Sequence, residues 1–418
     1  MVTYKYMNSI QQKKTKIVAT IGPASRNKKV LSNMAHAGLN VVRMNFSHGS
    51  HEDHFETLAI VRKVIKRTKK PLAILQDLSG PKIRLGTMEE DVVVAKDDTF
   101  ILTTKKCLGT ATKAFVNYKK LPSELSKGSV VKIDDGKLEL VVSKISKEEI
   151  YTKVVVGGKV FSNKGVNLPN TTLSISSLTT KDRKDVLFGI KHKVDYIALS
   201  FVQSACDIQD LRKILDKHKC KADIIAKIET TAAVENLDEI LEAADGAMVA
   251  RGDMAVEVGV EHVPFIQKDI IRKCNILGKP VITATQMLDS MEQSPTPTRA
   301  EVSDVANAIL DGTDAIMLSS ESAIGKYPVE SITTMSAIAK RTEPHVKNIQ
   351  LDYFGNSRDI VDTMSTSVVR IANNVRARLI VTLTESGLTP RMISRFNPHH
   401  PIIAITPHEL TYNQLQLS

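Results

Sequence analysis

Apolar, β-prone runs recur along the chain at Lys16–Ile21, Leu39–Met44, Leu72–Asp77, Val194–Phe201, Ala222–Glu229, Gly246–Asp253, Pro280–Gln286 and Ala315–Glu321. They are nearly continuous in hydrophobic character, the pattern of parallel strands covered on both faces. Most are separated by amphipathic stretches at helical spacing. In Ser303–Leu310, for example, Val305, Ala306, Ile309 and Leu310 alternate with polar Asp304 and Asn307. Eight βα units closing on themselves predict an α/β fold of the (β/α)8 TIM barrel type.

The interval between the third and fourth runs is too long for one crossover helix. From about Leu85 to Ser174 the pattern changes to short alternating strands such as Ser129–Ile133 and Lys137–Val142, joined at Asp135-Gly136, with another turn at Gly157-Gly158. An all-β domain inserted after a barrel strand lies at the catalytic face, where it can act as a lid. After Pro344 the barrel rhythm ends, and a helix near Ile360–Asn374, a strand at Leu379–Leu383, a helix near Pro390–Arg395 and a strand at Ile402–Ile405 follow. Glu409–Ser418 reads as the start of a further helix without a closing cap. The expected organisation is barrel over 1–84, small all-β lid over 85–174, barrel again over 175–344, and a C-terminal α/β domain over 345–418 that reads as truncated.

Composition narrows the function. With 418 residues, 42% hydrophobic and 25% charged, the chain is an ordinary globular protein long enough for two or three domains. Its formal net charge of +11 suits anionic partners. Only 4% of residues are aromatic and Trp is absent, which argues against base stacking and so against nucleic acid as the partner. Phosphorylated metabolites remain. Cys107, Cys206, Cys220 and Cys274 are far apart and form no C-x-x-C pair, which fits a reducing compartment. Met1–Gln12 is polar and no apolar run reaches spanning length, so the expectation is a cytoplasmic protein that makes no membrane contact.

The chemistry gathers at the strand ends, where Arg43 and Asn45, Asp77, Ser200, Lys227 and Glu229, Arg251 and Asp253, Thr285 and Gln286, and Ser319 and Glu321 stand. Singly, such residues are usually caps or ion pairs. Together, on the C-terminal rim of one barrel, they form a pocket. Glu229 and Asp253 end adjacent strands, a spacing that suits Mg²⁺ taking one or two carboxylates plus substrate oxygens. Lys227, two residues before Glu229, shares its strand face and would stabilise charge on a phosphoryl group or an enolate oxygen. Gly252-Asp253 opens the next loop or helix with backbone N–H groups free to bind a carboxylate or phosphate. His48, His51 and His54 lack a zinc-protease arrangement and are expected to be capping or surface histidines. No Gly-Lys pair is followed by Ser or Thr, so a Walker-type phosphate loop is excluded.

Nine segments resemble the pyruvate kinase family. They are Thr15–Ser25, Arg43-Met44-Asn45-Phe46-Ser47-His48-Gly49, Gly80-Pro81-Lys82-Ile83-Arg84, Lys164-Gly165-Val166-Asn167-Leu168-Pro169, Ala226-Lys227-Ile228-Glu229, Met248–Asp253, Ile282–Met287, Pro297-Thr298-Arg299-Ala300-Glu301 and Met317-Leu318-Ser319. The resemblance implies phosphoryl transfer between phosphoenolpyruvate and ADP, yielding pyruvate and ATP in a cytoplasmic, allosteric homotetramer. It implies Lys227, Thr285, Arg84 and Arg43 as catalytic residues. Lys227, Gly252, Asp253, Thr285, Arg43 and Ser200 would bind substrate, and Arg43, Asn45, His48 and Lys164 the nucleotide. Glu229 and Asp253 would bind Mg²⁺, which Mn²⁺ can replace. Thr384, Ser386 and Thr389 would form a phosphate-binding effector loop.

Departures from the family pattern carry information. The monovalent-cation region keeps Asn45, Ser47 and Asp77, but Leu78 removes a Thr hydroxyl and Lys82 replaces a Glu. An ammonium near the ion's place supplies the same charge, so Lys82 is expected to substitute for K⁺ and remove the need for it. Ile324 stands where many members carry a Lys near the nucleotide, and the family's C-terminal domain usually continues beyond the equivalent of Ser418. The rival readings are a non-catalytic binding protein on the same fold and a pyruvate aldolase-like enzyme; ADP-dependent turnover separates both from the kinase reading.

Overall fold

A computed structural model describes residues 13–171, 173–346 and 360–418, so the polar stretch Met1–Gln12 lies outside the described residues. The eight apolar runs become eight parallel strands: β1 (Lys16–Thr20), β2 (Val41–Asn45), β3 (Ala73–Asp77), β4 (Tyr196–Leu199), β5 (Asp223–Ile228), β6 (Gly246–Ala250), β7 (Val281–Ala284) and β8 (Ala315–Leu318). They close into a barrel in chain order, β8 pairing back onto β1. Two apolar layers explain the continuous runs. Val18, Leu75, Tyr196, Ile225, Met248 and Met317 fill the interior, while Ile17, Ile74, Ile197, Ile224 and Val249 face the surrounding helices. The helices start where Ser/Thr-x-x-Asp/Glu capping boxes satisfy their free N–H groups: Ser50 with Asp53, Thr179 with Asp182, and Thr298 with Glu301.

The N-terminal mouth of the barrel repeats one device four times. The residue just before each even-numbered strand is Asn or Asp, and its side chain accepts an N–H from the first or second residue of the preceding strand. Asn40 Oδ1 accepts from Ile17 (3.0 Å), Asp195 Oδ2 from Ile74 (2.7 Å), Asp245 Oδ2 from Ile224 (2.7 Å) and Asp314 Oδ2 from Val281 (2.9 Å). These N–H groups lie at the edge of the ladder, and a buried one left unpaired is costly.

Between β3 and the helix Thr180–Lys191 the chain forms a six-stranded sheet whose edge strand Val166–Asn167 lies beside Val130–Ile133. Its hairpin from Val130–Ile133 to Leu138–Ile145 turns at Asp134, Asp135 and Gly136, all with positive φ. The expected turn at Gly157-Gly158 is absent. The chain runs from Glu149–Val156 straight into Gly158–Lys159, which pairs with Val93–Val94, and a Cβ on Gly157 would stand 2.5 Å from the Val94 carbonyl oxygen. This glycine permits close approach of two backbones, not a reversal.

The C-terminal unit has the helix Ile360–Asn374, strand β9 (Ile380–Leu383), the helix Leu388–Ser394, strand β10 (Ile402–Ile405) parallel to β9, and the helix Glu409–Gln414. The last segment is a helix, as expected. It tightens into a 3₁₀ turn at Leu415–Leu417 and docks on the barrel mouth. Leu417 is fully buried within the interior cluster, Tyr196 Oη donates to the Gln414 carbonyl, and Asn413 Nδ2 donates to Asp195 Oδ1 at 3.0 Å.

Candidate active site

The apolar runs read from sequence extend a few residues beyond the strands, because the backbone turns as soon as it reaches the C-terminal rim. β6 stops at Ala250, and the helix Arg251–Val258 begins at once, so Arg251-Gly252-Asp253 is a helix start instead of a strand end. After β4 and β7 the chain enters left-handed conformations at Phe201 (φ 54°), Thr285 (φ 71°) and Gln286 (φ 52°). Such backbone is disfavoured for side chains of this size and persists only where neighbours hold it, often at functional sites.

Lys227, on β5, is the centre of the rim. Its ammonium donates to Ser200 Oγ at 2.6 Å and stands 3.4 Å from Glu229 Oε2 and 3.5 Å from Asp77 Oδ1. The Ser200 hydroxyl in turn donates a hydrogen bond to the Leu78 carbonyl at 2.7 Å. Arg43, on β2, reaches across β3 to place Nε 2.6 Å from Asp77 Oδ2 and donates to Thr20 Oγ1 at 2.7 Å. Burial works to raise the Asp77 carboxyl, but Lys227 and Arg43 outweigh it and hold it below the usual carboxylate range. Burial opposes the charge of Lys227 too, yet Asp77 and Glu229 more than compensate and its pKa is raised. Lys227 is therefore a fixed cation at neutral pH.

Glu229 differs from Asp77. One oxygen, Oε1, accepts the Phe201 N–H at 2.7 Å, whereas Oε2 is buried, makes no hydrogen bond and has only the Lys227 ammonium beside it, at 3.4 Å. Burial, with Asp253 adding to it against the pull of Lys227, pushes this carboxyl up to about 7. A carboxylate with a dry, unsatisfied oxygen beside a second carboxylate has room for a cation. That fits a divalent ion held by two carboxylates, and among the described residues no group of three or more His, Cys, Asp or Glu forms a denser cage. Gly252 N–H donates to Thr285 Oγ1 at 2.9 Å, joining the helix start to the strained turn. Arg251 locks that turn, donating to the carbonyls of Ala284 (3.2 Å) and Thr285 (2.7 Å) while paired with Asp304 at 2.7 Å. Glu321 accepts from Ser319 N–H (2.7 Å) and Leu288 N–H (3.2 Å), tying the loops after β8 and β7 together.

The structure therefore brings Arg43, Asp77, Ser200, Lys227 and Glu229 into one network, with Gly252, Asp253 and Thr285 beside it. Asn45 Oδ1 accepts the Ser47 N–H at 3.1 Å, and His48 is exposed next to them. Arg84 and Lys164 sit on the inserted domain: Arg84 donates to the Asn163 carbonyl at 3.0 Å and Lys164 pairs with Asp134 at 2.8 Å. Lys82 lines a cavity of about 60 Å³ between the inserted domain and the barrel, opposite Glu257, and its Cε lies near Gly165. Thr384, Ser386 and Thr389 lie at the other end of the molecule, where Arg391 bonds the Ser386 carbonyl and approaches Asp223 at the start of β5. Thr384 Oγ1 accepts the Gly387 N–H at 2.9 Å, Ser386 Oγ accepts the Leu388 N–H at 3.4 Å, and Thr389 is exposed.

Of the histidines near the rim, His48 lies at the surface as expected, and His54 does not. Ser50 and Asp53 cap the helix His51–Thr68; His54 is buried, stacked on Phe46 at 3.9 Å with Nε2 3.0 Å from the His48 carbonyl, and His51 pairs with Asp185 at 2.7 Å. Burial lowers the His54 pKa, as befits a neutral packing ring. Sequence reasoning overlooked Ser177, whose hydroxyl donates to the Phe201 carbonyl, because a lone serine in a connecting segment carries no pattern.

Comparison with known proteins agrees with this geometry. The family model of the pyruvate kinase barrel domain matches residues 12–332, and that of the pyruvate kinase alpha/beta domain matches 362–418. The chain is 48% identical over 413 residues to a pyruvate kinase of Geobacillus stearothermophilus, covering 97% of this chain and 70% of the relative. It is 47% identical over 408 residues to one of Staphylococcus epidermidis, covering 96% and 70%. A crystal structure of a pyruvate kinase from Cryptosporidium parvum superposes with a TM-score of 0.94 at 38% identity, covering 98% of this chain and 86% of that one. With the closed barrel, the inserted β domain and the lysine–carboxylate rim in place, this chain belongs to the pyruvate kinase family, the phosphotransferases of glycolysis.

Proposed function

We propose that the rim transfers the phosphoryl group of phosphoenolpyruvate in line to ADP. The P–O bond to enolpyruvate breaks as a bond to the ADP β-phosphate oxygen forms, and enolpyruvate then takes a proton at carbon to become pyruvate. The observation that carries this reading is the Lys227 ammonium, pinned by Ser200 at 2.6 Å between two buried carboxylates. A cation held before substrate arrives stabilises charge developing on the phosphoryl and enolate oxygens without reorganising. Arg43 and Ser200 complete the substrate side. Thr285 and the N–H groups at Gly252 and Asp253 hold the substrate carboxylate. Arg43, Asn45 and His48 face the nucleotide phosphates, and Arg84 and Lys164 come to them from the lid. Glu229 and Asp253 hold Mg²⁺, or Mn²⁺ in its place, which when bound neutralises phosphoryl charge and polarises the enolate oxygen.

Lys82 removes the need for K⁺ in this reading. What supports this is that Leu78, buried beside Asp77, offers no hydroxyl, and that the two oxygens of Asp77 already face Arg43 and Lys227, whose charges discourage a monovalent cation there. Val260 and Phe265, 73% and 74% exposed, supply an apolar patch suited to subunit contact in a homotetramer. A cytoplasmic location fits the free cysteines, and no helix among the described residues is long and apolar enough to cross a membrane. Turnover of phosphoenolpyruvate with ADP and Mg²⁺, followed by coupled pyruvate reduction, tests the reaction; a folded sample without turnover overturns it. The same assay in tetramethylammonium buffer tests K⁺ independence. A strict K⁺ requirement would end that idea, and a Lys82→Glu enzyme that gains one supports it.

A further inference from the structure

The lid joins the barrel through two segments, one leaving β3 and one returning to the helix Thr180–Lys191, and both grip the same dipeptide, Ser200-Phe201. From the outgoing segment, the Leu78 carbonyl accepts Ser200 Oγ at 2.7 Å. Gly80 (φ +67°) packs so closely that a Cβ there would lie 2.8 Å from Phe201 Cδ2 and 3.0 Å from Ser200 Cβ. From the returning segment, fully buried Ser177 donates from Oγ to the Phe201 carbonyl at 2.7 Å. Phe201 is thereby held in a left-handed conformation that a bulky residue does not adopt unaided. In that conformation its N–H reaches Glu229 Oε1 at 2.7 Å and leaves Oε2 facing the site, while Ser200 receives the Lys227 ammonium.

We propose that Ser177 is a positioning residue for divalent-cation binding, holding the Phe201 turn so that Glu229 keeps Oε1 on the Phe201 N–H and Oε2, which makes no hydrogen bond, beside Lys227. The inference rests on the reading of Glu229 as a metal carboxylate. Without the Ser177 hydroxyl, the Phe201 carbonyl loses its donor and the backbone is free to leave the left-handed region. The N–H then turns away from Oε1, and Glu229 loses the contact that fixes its orientation. Because Ser177 lies on the returning segment, seating of the lid and affinity for the cation become linked, each favouring the other.

Mn²⁺ binding to the whole enzyme, read by electron paramagnetic resonance of the free ion, tests this without requiring turnover. Ser177→Ala should weaken Mn²⁺ binding by about tenfold, the usual loss when a partner behind a metal ligand is removed. The KM for ADP should remain within twofold. Ser177→Thr, which keeps the hydroxyl, should bind better than Ser177→Ala, and Gly80→Ala, which pushes the turn from the opposite side, should weaken binding in the same direction. Melting temperature is followed for each variant to separate loss of the site from loss of fold. Mn²⁺ affinity unchanged in both Ser177→Ala and Gly80→Ala overturns the proposal, as does an equal loss in Ser176→Ala, whose side chain is exposed. If the wild-type enzyme binds Mn²⁺ but does not turn over phosphoenolpyruvate, the functional reading fails, and the Ser177 result still decides the hinge contact.

Discussion

The two ends of this barrel use the same side chains for opposite purposes. At the N-terminal mouth, Asn40, Asp195, Asp245 and Asp314 each end on an N–H of the neighbouring strand, and the side chains close the ladder. At the C-terminal rim, Asp77 faces two cations, and Glu229 keeps one oxygen that makes no hydrogen bond and has only the Lys227 ammonium beside it, at 3.4 Å. A satisfied buried carboxylate stabilises; an unsatisfied one waits for a ligand. The strands between them are alike, so it is the state of the polar groups that distinguishes the end serving stability from the end serving chemistry.

The comparison is broken most directly at Lys227. Lys227→Met should lower turnover by at least about a thousandfold, roughly 4 kcal/mol of transition-state stabilisation, with phosphoenolpyruvate binding largely retained. A variant keeping a tenth of the wild-type rate would remove Lys227 from the centre of the mechanism.

At the mouth the opposite outcome is expected. Asp314→Ala leaves the Val281 N–H without its acceptor and should cost about 1–3 kcal/mol of stability in urea unfolding, with turnover per folded molecule unchanged. Loss of activity in a fully folded Asp314→Ala sample would show that the two ends are not separate in function.

Communication between the ends is expected to be weaker. The loop bearing Thr384, Ser386 and Thr389 carries Glu385, which pairs with His408 and whose carbonyl accepts from Thr411 Oγ1 at 2.9 Å. A negative charge already in the loop opposes a phosphate. Sugar phosphates should activate less than about tenfold, or 1.4 kcal/mol of coupling, in a steady-state titration.

The smallest effect is a change in pH dependence. Burial raises Asp314 to about 7, Asp223 to about 7 and Asp195 to about 6, well above the usual aspartate range. Between these limits the folded state holds protons that the unfolded chain has released. The stability contributed by these groups is therefore complete below the unfolded value and is lost as pH rises through the folded one. Asp314→Asn keeps an acceptor, as Asn40 does in the first pair, but has no proton to lose. Its melting temperature should fall less steeply than the wild type's between pH 5 and 8, by on the order of 2 °C. Parallel curves would show that Asp314 does not set the slope.

Much of the molecule was legible because burial on both faces writes itself as an unbroken apolar run. All eight barrel strands were readable in that way, and the hairpin at Asp135-Gly136, whose strands are buried at alternate positions, through its alternation and its turn residues. The network of Arg43, Asp77, Ser200, Lys227 and Glu229 was legible as polar residues ending those runs. Errors fell where a local signal has two meanings. Gly157 looked like a turn and is a close backbone contact, and His54 looked like a capping or surface residue and is a packed ring. Arg251-Gly252-Asp253 was read both as the end of an apolar run and as the opening of a loop or helix, and it is the second, a helix start.

Periodicity, capping and turn chemistry act over a few residues, so the sequence by itself determined which segments became strands and helices and which polar residues reached the rim. The tertiary structure alone decided partnerships across long chain separations: Asp195 with Ile74, Leu417 with the barrel interior, Ser177 with Phe201. The physical reason is that a buried donor or acceptor must be satisfied somewhere, but nothing in its own neighbourhood specifies by which distant residue. Whether Glu229 is a closed ion pair or an open ligand depends on such a partner, the Phe201 N–H, and becomes visible only when the barrel has closed and the lid segments have clamped the turn.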